Sequence, residues 1–227
     1  EPYRLNDQPC HLTASLGIGL FPNDGRTAQA LLANAESAMY HAKEQGRNRW
    51  TFYSSSLSQA ATERLDLEHD LRAALTAHQF ELYYQPKVAA SDGRITGVEA
   101  LIRWNSASLG FVPPDEFIGI AEQAGLIERV TAWVLDRTLD DLADFRNQGY
   151  VFSMAINLST RDIQRPEMMQ SLAEKITRKG LTPADVELEI TESDLVEDTA
   201  VAISNLNQYQ AMGFHFAIDD FGTGYSS

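Results

Sequence analysis

From about residue 80 onward, short runs alternate one apolar residue with one polar or small residue. Between these runs, apolar residues recur every three or four positions. The first pattern is that of a half-buried strand, the second that of an amphipathic helix. Strands are predicted over residues 80–88, 95–104, 152–158, 186–191 and 214–218. One helix is predicted to open at Pro113-Pro114-Asp115-Glu116 and to stop at Gly125. Others are predicted over about 127–146, from Pro166 to Gly180, and up to Gly213. Proline and acids suit a helix's first turn, and glycine suits the position past its end. Repeated strand–helix units imply a parallel sheet, either doubly wound or a barrel. A (β/α)8 barrel takes about 250 residues. This stretch supplies about five strands, so a barrel would be cut after its fifth.

Residues 1–53 read differently. A strand is predicted over 12–21, ending in the turn Pro22-Asn23-Asp24-Gly25. A helix follows, with Leu31, Leu32, Ala35, Ala38, Met39 and Ala42 at helical spacing and Gly46 as its stop. Residues 50–53 suit a short closing strand. This strand–helix–strand segment has too little apolar surface for a core of its own. Residues 54–78 open with serines and become a bridging helix carrying Leu57, Ala61, Leu67, Leu71, Ala74 and Leu75 along one side. The expected organisation is therefore a remnant over 1–53, a linker helix over 54–78, and a larger domain over 79–227 that is incomplete at its C-terminus.

Alternation also sorts each strand into two faces. Val98, Ala100, Ile102 and Trp104 oppose Glu99, Leu101 and Arg103. Met154 and Ile156 oppose Ser153, Ala155 and Asn157. Val186, Leu188 and Ile190 oppose Glu187, Glu189 and Thr191; Phe214, Phe216 and Ile218 oppose His215, Ala217 and Asp219. The oily faces are expected to pack against helices. If the strands are adjacent and parallel, their polar faces gather Glu99, Asn157, Glu189 and Asp219, with Asp220 just beyond. Three of these stand near carboxyl ends of strands, where α/β enzymes place their chemistry. Several carboxylates cannot stay ionised together without a cation. An all-oxygen donor set favours Mg2+, Mn2+ or Ca2+ over zinc. Taken singly, each acid could be a solvated strand end; five polar residues in phase on four strands argue for a shared site.

Composition narrows the classes. With 44% hydrophobic and 22% charged residues, the 227-residue chain is globular in type. No run of about 18 apolar residues is present, so no membrane contact is expected of this segment. The net charge of −14 argues against binding DNA or RNA duplex. The single cysteine, Cys10, fits a reducing, cytoplasmic location and has no companion for nucleophilic work. The chain begins at Glu1 and reads as a piece of a longer protein, whose upstream segments could tether it to a membrane.

The residues of the polar faces also carry a family resemblance. Glu99-Ala100-Leu101-Ile102-Arg103-Trp104 resembles the signature that names the EAL domain, preceded by Tyr84-Gln85-Pro86-Lys87-Val88. Asn157-Leu158-Ser159, Glu189-Ile190-Thr191-Glu192 and Asp219-Asp220-Phe221-Gly222-Thr223-Gly224 resemble its later motifs, in the correct order. The likeness covers about 67–227. Residues 1–53 resemble the tail of a GGDEF (diguanylate cyclase) domain through Ser15-Leu16-Gly17-Ile18-Gly19, Ala38-Met39-Tyr40-His41-Ala42-Lys43 and Gly46-Arg47-Asn48-Arg49. The naming signature of that domain is not among them.

The resemblance implies a modified TIM barrel whose first strand is antiparallel, and hydrolysis of cyclic di-GMP to linear pGpG with two Mg2+ or Mn2+ ions. It implies metal ligation by Glu99, Asn157, Glu189, Asp219 and Asp220, with Glu99, Asp219 and Asp220 as the catalytic set. Arg103 would contact a substrate phosphate, or else form an interior salt bridge to Glu99 or Glu189. Gln85 would lie near the substrate or a metal-bound water. Glu192 would anchor the loop after the fifth strand, which Gly222 and Gly224 make pliable. His215 is expected to be a buried, hydrogen-bonded histidine, not a ligand. The family's later lysine, glutamate and glutamine motifs do not occur here, so little activity is expected of residues 1–227 alone. Two other functions stand beside hydrolysis: a cyclic di-GMP receptor with a lapsed active site, and an interaction module that dimerises through the 54–78 helix. Binding without hydrolysis would mark the first, and no binding the second.

Overall fold

The computed structural model describes residues 3–5, 8–10, 12–191 and 199–219. The chain forms two compact units, residues 1–69 and 70–227.

In the first unit a hairpin of β1 (Tyr3–Leu5) and β2 (Gln8–Cys10) precedes β3 (Leu16–Ile18), helix α1 (Ala28–Glu44) and β4 (Trp50–Phe52). Strands β3 and β4 pair in parallel, so α1 is the crossover between them. Thr27 caps α1, its hydroxyl accepting from the Ala30 amide at 3.1 Å. Ala38 and Ala42 are the buried face of α1. The strand expected over 12–21 shrinks to three residues. Its partner β4 offers only three ladder positions, and Leu12, Leu20 and Phe21 are exposed. The β1–β2 hairpin was not expected.

Helix α2 (Ser55–Ala74) leads into the second unit, where Leu71 and Ala74 are buried. There follow β5 (Phe80–Val88), β6 (Ile95–Ser106), β7 (Gly110–Val112), α3 (Pro114–Gln123), α4 (Ile127–Asn147), β8 (Ser153–Asn157), α5 (Thr160–Ile163), α6 (Pro166–Arg178), β9 (Val186–Thr191), α7 (Thr199–Ala211) and β10 (His215–Asp219). The sheet order is β10-β9-β8-β6-β5, with β7 folded back on β6. Strands β6, β8, β9 and β10 are parallel, and β5 is antiparallel to β6.

Helix α4 packs against this sheet. Its Val134, Leu135, Leu139 and Leu142 are buried against Met154 and Ile156 of β8 and Leu172 and Ile176 of α6. An aromatic cluster of Phe80, Trp104, Phe117 and Trp133 joins β5 and β6 to α3 and α4. The oily strand faces therefore lie under helices as alternation predicts, with one exception. Ile218 is 52% exposed, because β10 is the outer strand of the sheet among the described residues.

Candidate metal centre and cavity

The register explains how strands far apart in sequence share one site. Glu99 on β6 is level with Ala155 of β8 and Glu187 of β9. Asn157, Glu189 and Ala217 form the next inward-facing row, and Asp219 is level with Thr191 one row above. The acids thus climb two residues at a time from β6 to β10. Tilted, staggered strands of a barrel wall bring such a diagonal together at one end. Glu99, Glu189 and Asp219 each offer a carboxylate oxygen, all within 4.8 Å of one another. Asn157 donates from Nδ2 to Glu99 Oε1 at 2.8 Å, which keeps its Oδ1 as an acceptor.

Electrostatics in this cluster are strained. Glu189 is only 6% exposed. Burial pushes its carboxyl pKa up; Lys87 draws it back down, while Glu99 and Asp219 push it further up, and the net direction is upward. Lys87, on β5, hydrogen-bonds Glu187 Oε1 at 2.6 Å and also Glu189 Oε1. Burial pulls the Lys87 ammonium's pKa down, but the bonds to Glu187 and Glu189 outweigh it and hold it above the usual lysine value. Against the carboxylates of Glu99, Glu187, Glu189 and Asp219, Lys87 supplies one positive charge. Crowded oxygen donors in carboxylate and amide groups fit a hard divalent cation.

Arg103 takes neither ion pair considered for it. Its Nη1 donates to the Ile102 carbonyl at 2.8 Å, and its guanidinium lies over the Tyr83 ring, 5.4 Å from the centroid. The internal cation is Lys87 instead, whose inward direction follows from its being two positions from Gln85. Gln85 is exposed and pairs with Glu99 across β5 and β6. His215 is exposed, not buried, since it lies on the inward side of outer strand β10. Asp220, Glu192, Gly222 and Gly224 lie outside the described residues.

Beside the acids lies a cavity of about 320 Å³ at the ends of β6 and β8. Pro114, Ile118 and Val130 form an apolar wall; Arg103, Asn157 and Ser159 bring polar groups. That volume falls at the lower end for ligand sites. One polar element of this lining escaped the motif-based reading. Asp162, 2% exposed, accepts from the Ser159 amide at 3.1 Å and its hydroxyl at 2.7 Å, while the Asp162 amide points back to Ser159 Oγ at 3.3 Å. This is a reciprocal capping box at the start of α5, and the Ser159-x-x-Asp162 spacing is its sequence signature.

A mostly parallel sheet with acids at its carboxyl-terminal edge and a cavity beside them gives an α/β architecture with a candidate metal centre. The chain belongs to the EAL domain family, whose model matches residues 68–227. Residues 1–49 match the model of the diguanylate cyclase, GGDEF domain. The whole chain is 42% identical to the bifunctional diguanylate cyclase/cyclic di-GMP phosphodiesterase MucR of Pseudomonas aeruginosa, covering 33% of it. It is 38% identical to the cyclic di-GMP phosphodiesterase NbdA of the same species, with all of this chain and 29% of that protein covered. It spans about a third of the length of these curated relatives. Among solved structures, a MucR phosphodiesterase in complex with c-di-GMP superposes with a TM-score of 0.67 at 40% identity, over 71% of this chain and 66% of that one.

Proposed function

We propose that this chain carries part of a cyclic di-GMP phosphodiesterase, hydrolysing one phosphodiester of the cyclic dinucleotide to give linear pGpG. The observation that carries the reading is the convergence of Glu99, Glu189 and Asp219 within 4.8 Å beside a largely apolar cavity. The names of the relatives supply the substrate. Glu99, Asn157, Glu189 and Asp219 would hold a divalent ion, Mg2+ or Mn2+, and Asp219 with Asp220 a second. A bound ion of this kind supplies positive charge to the phosphodiester and makes water more acidic.

The chain's own residues do the rest. The cavity wall of Pro114 and Ile118 shields one face of a purine or ribose from water. Arg103, able to bond an anion through two nitrogens, orients a phosphate; Gln85, across from Glu99, contacts the substrate. Water adds to phosphorus, the bond from phosphorus to the ribose 3′ oxygen breaks, and that oxygen leaves with a proton. The domain organisation belongs to the same proposal: a GGDEF-derived segment to about residue 53, a linker helix over 54–78, and the EAL domain from 79. The boundary between the two compact units, at 69/70, falls inside that helix.

The test is hydrolysis of cyclic di-GMP by the naturally expressed protein with Mg2+ or Mn2+, beside its Glu99→Ala variant. Removing one carboxylate ligand is expected to lower the rate by at least about 100-fold, beyond the loss typical of outer-sphere changes. An unchanged rate in Glu99→Ala would exclude the ligand assignment. Tight binding of the dinucleotide with no hydrolysis by the unmutated protein would replace the enzyme with a receptor.

A further inference from the structure

Lys87 has no place in the chemistry above, yet it makes two charged contacts in the site. Its ammonium bridges Glu187 and Glu189, which lie 100 and 102 residues away in sequence. To reach them its stem must cross β6 and β8. Level with Lys87 on these strands are Gly97 and Ser153, and the next inward-facing residue on β8 is Ala155. A β-carbon at Gly97 would lie 3.9 Å from Lys87 Cδ, and 3.0 Å from Ser153 Oγ. The glycine, the serine and the alanine therefore leave a lane across the inner wall, and the lysine fills it.

We infer that Lys87 is a built-in competitor for the metal position: it occupies Glu189 when no ion is bound and withdraws to Glu187 when one is. The inference rests on the reading that Glu189 is a metal ligand. Two features support it. The Glu189 carboxylate, which would have to turn an oxygen toward the ion, already accepts from Lys87 through Oε1. Glu187 faces the same side two residues earlier on β9, is not among the carboxylates gathered within 4.8 Å, and accepts from the same ammonium at 2.6 Å. A lysine ammonium has three donors on a flexible stem, so it can keep one partner while releasing the other. A fixed positive charge beside the site repels an incoming cation, and withdrawal lessens that repulsion. The competitor would keep the empty site partly neutralised and the ion exchangeable.

The experiment is a Mn2+ titration of the naturally expressed protein, read by the electron paramagnetic resonance of free Mn2+, with thermal unfolding of the metal-free and metal-bound forms alongside. Lys87→Met is expected to bind Mn2+ about tenfold more tightly, a modest part of the repulsion between charges about 4 Å apart. Its Tm should fall in the metal-free form and change much less in the metal-bound form. A residue that only props up the fold would lower both alike. Glu187→Gln should weaken Mn2+ binding in the wild-type background and change it by less than about twofold in the Lys87→Met background, as a double-mutant cycle requires. If Lys87→Met fails to fold, Lys87→Gln carries the same expectation. Unchanged or weaker affinity in the lysine variants, or equal effects of Glu187→Gln in both backgrounds, overturns the inference. Glu99→Ala separates the two readings. If it binds Mn2+ like the unmutated protein, the metal site and the inference fall together. If it loses binding while the lysine variants gain none, only the inference falls.

Discussion

Asp162 shows how a side chain with no reacting role can govern one that has it. Its carboxylate holds the amide and hydroxyl of Ser159, and accepts at 3.4 Å from Thr131 Oγ1 on α4. Asn157 stands two residues before Ser159, at the last position of β8. The capping box thus sets the direction in which the chain leaves the strand. Asp162→Ala leaves buried donors unsatisfied and is expected to cost about 1–3 kcal/mol, measured by urea unfolding. Ser159→Ala, which removes the hydroxyl half of the box, should cost about 1 kcal/mol. A cost below a few tenths of a kcal/mol in both would mean that α5 holds without its cap.

Among the elements, the entry to β9 is tied in the same way but reports on pH. Asp185 ends the short 3-10 turn Pro183–Asp185 and accepts from the Thr182 amide and hydroxyl, each at 2.8 Å. Arg146 of α4 bonds the same carboxylate and the Phe152 carbonyl just before β8. Burial pushes the Asp185 carboxyl pKa up, but the Thr182 donors and Arg146 outweigh it and hold it below the ordinary aspartate value. A depressed folded value means that the stabilisation is complete above the unfolded pKa and is lost as pH falls through the folded one. Asp185→Asn is therefore expected to destabilise by about 1–2 kcal/mol at neutral pH, as loss of charge-assisted bonds does. That difference from the unmutated protein should shrink to nothing in acid below the ordinary aspartate range. A difference constant with pH would show that shape, not charge, makes this clasp. On the opposite edge Tyr84 donates to Asp141, which Arg137 also holds at 2.9 Å, so β5 is pinned to α4 by its outer face while its inner face carries Lys87.

Taken whole, the chain divides into two compact units, and a substitution in one can test the other. A methyl group at Gly17 on β3 would collide with the Ala35 carbonyl oxygen and the Met39 amide nitrogen of α1. Backbone cannot yield as a side-chain tip can, so Gly17→Ala is expected to loosen the first unit, by about 1–3 kcal/mol as over-packing does. Mn2+ affinity, which depends on the second unit, should not change. A parallel loss of metal binding would mean that the units unfold as one.

Much of this architecture can be read from short-range pattern. Alternation placed five strands and sorted Glu99, Asn157, Glu189 and Asp219 onto inward faces, because a pleated chain sends successive side chains to opposite sides. Capping and glycine signals placed the ends of α3 and α6 within a residue or two. What escaped pattern depends on partners distant in sequence. Leu12, Leu20 and Phe21 look like strand residues, yet β4 is too short to pair with them. His215 looks interior by phase, but exposure is set by which strand lies outermost. Lys87 looks like a motif residue of no assigned use until the register shows that small side chains open its way to β9.

Local spacing, then, was enough to say which side chains face inward and which stretches coil, since both follow from the geometry of neighbouring residues along one backbone. Whether those inward side chains meet, and which cation meets them first, depended on strand order, stagger and the clearance above Gly97. Those are properties of non-local contacts, set when the sheet closes around its core.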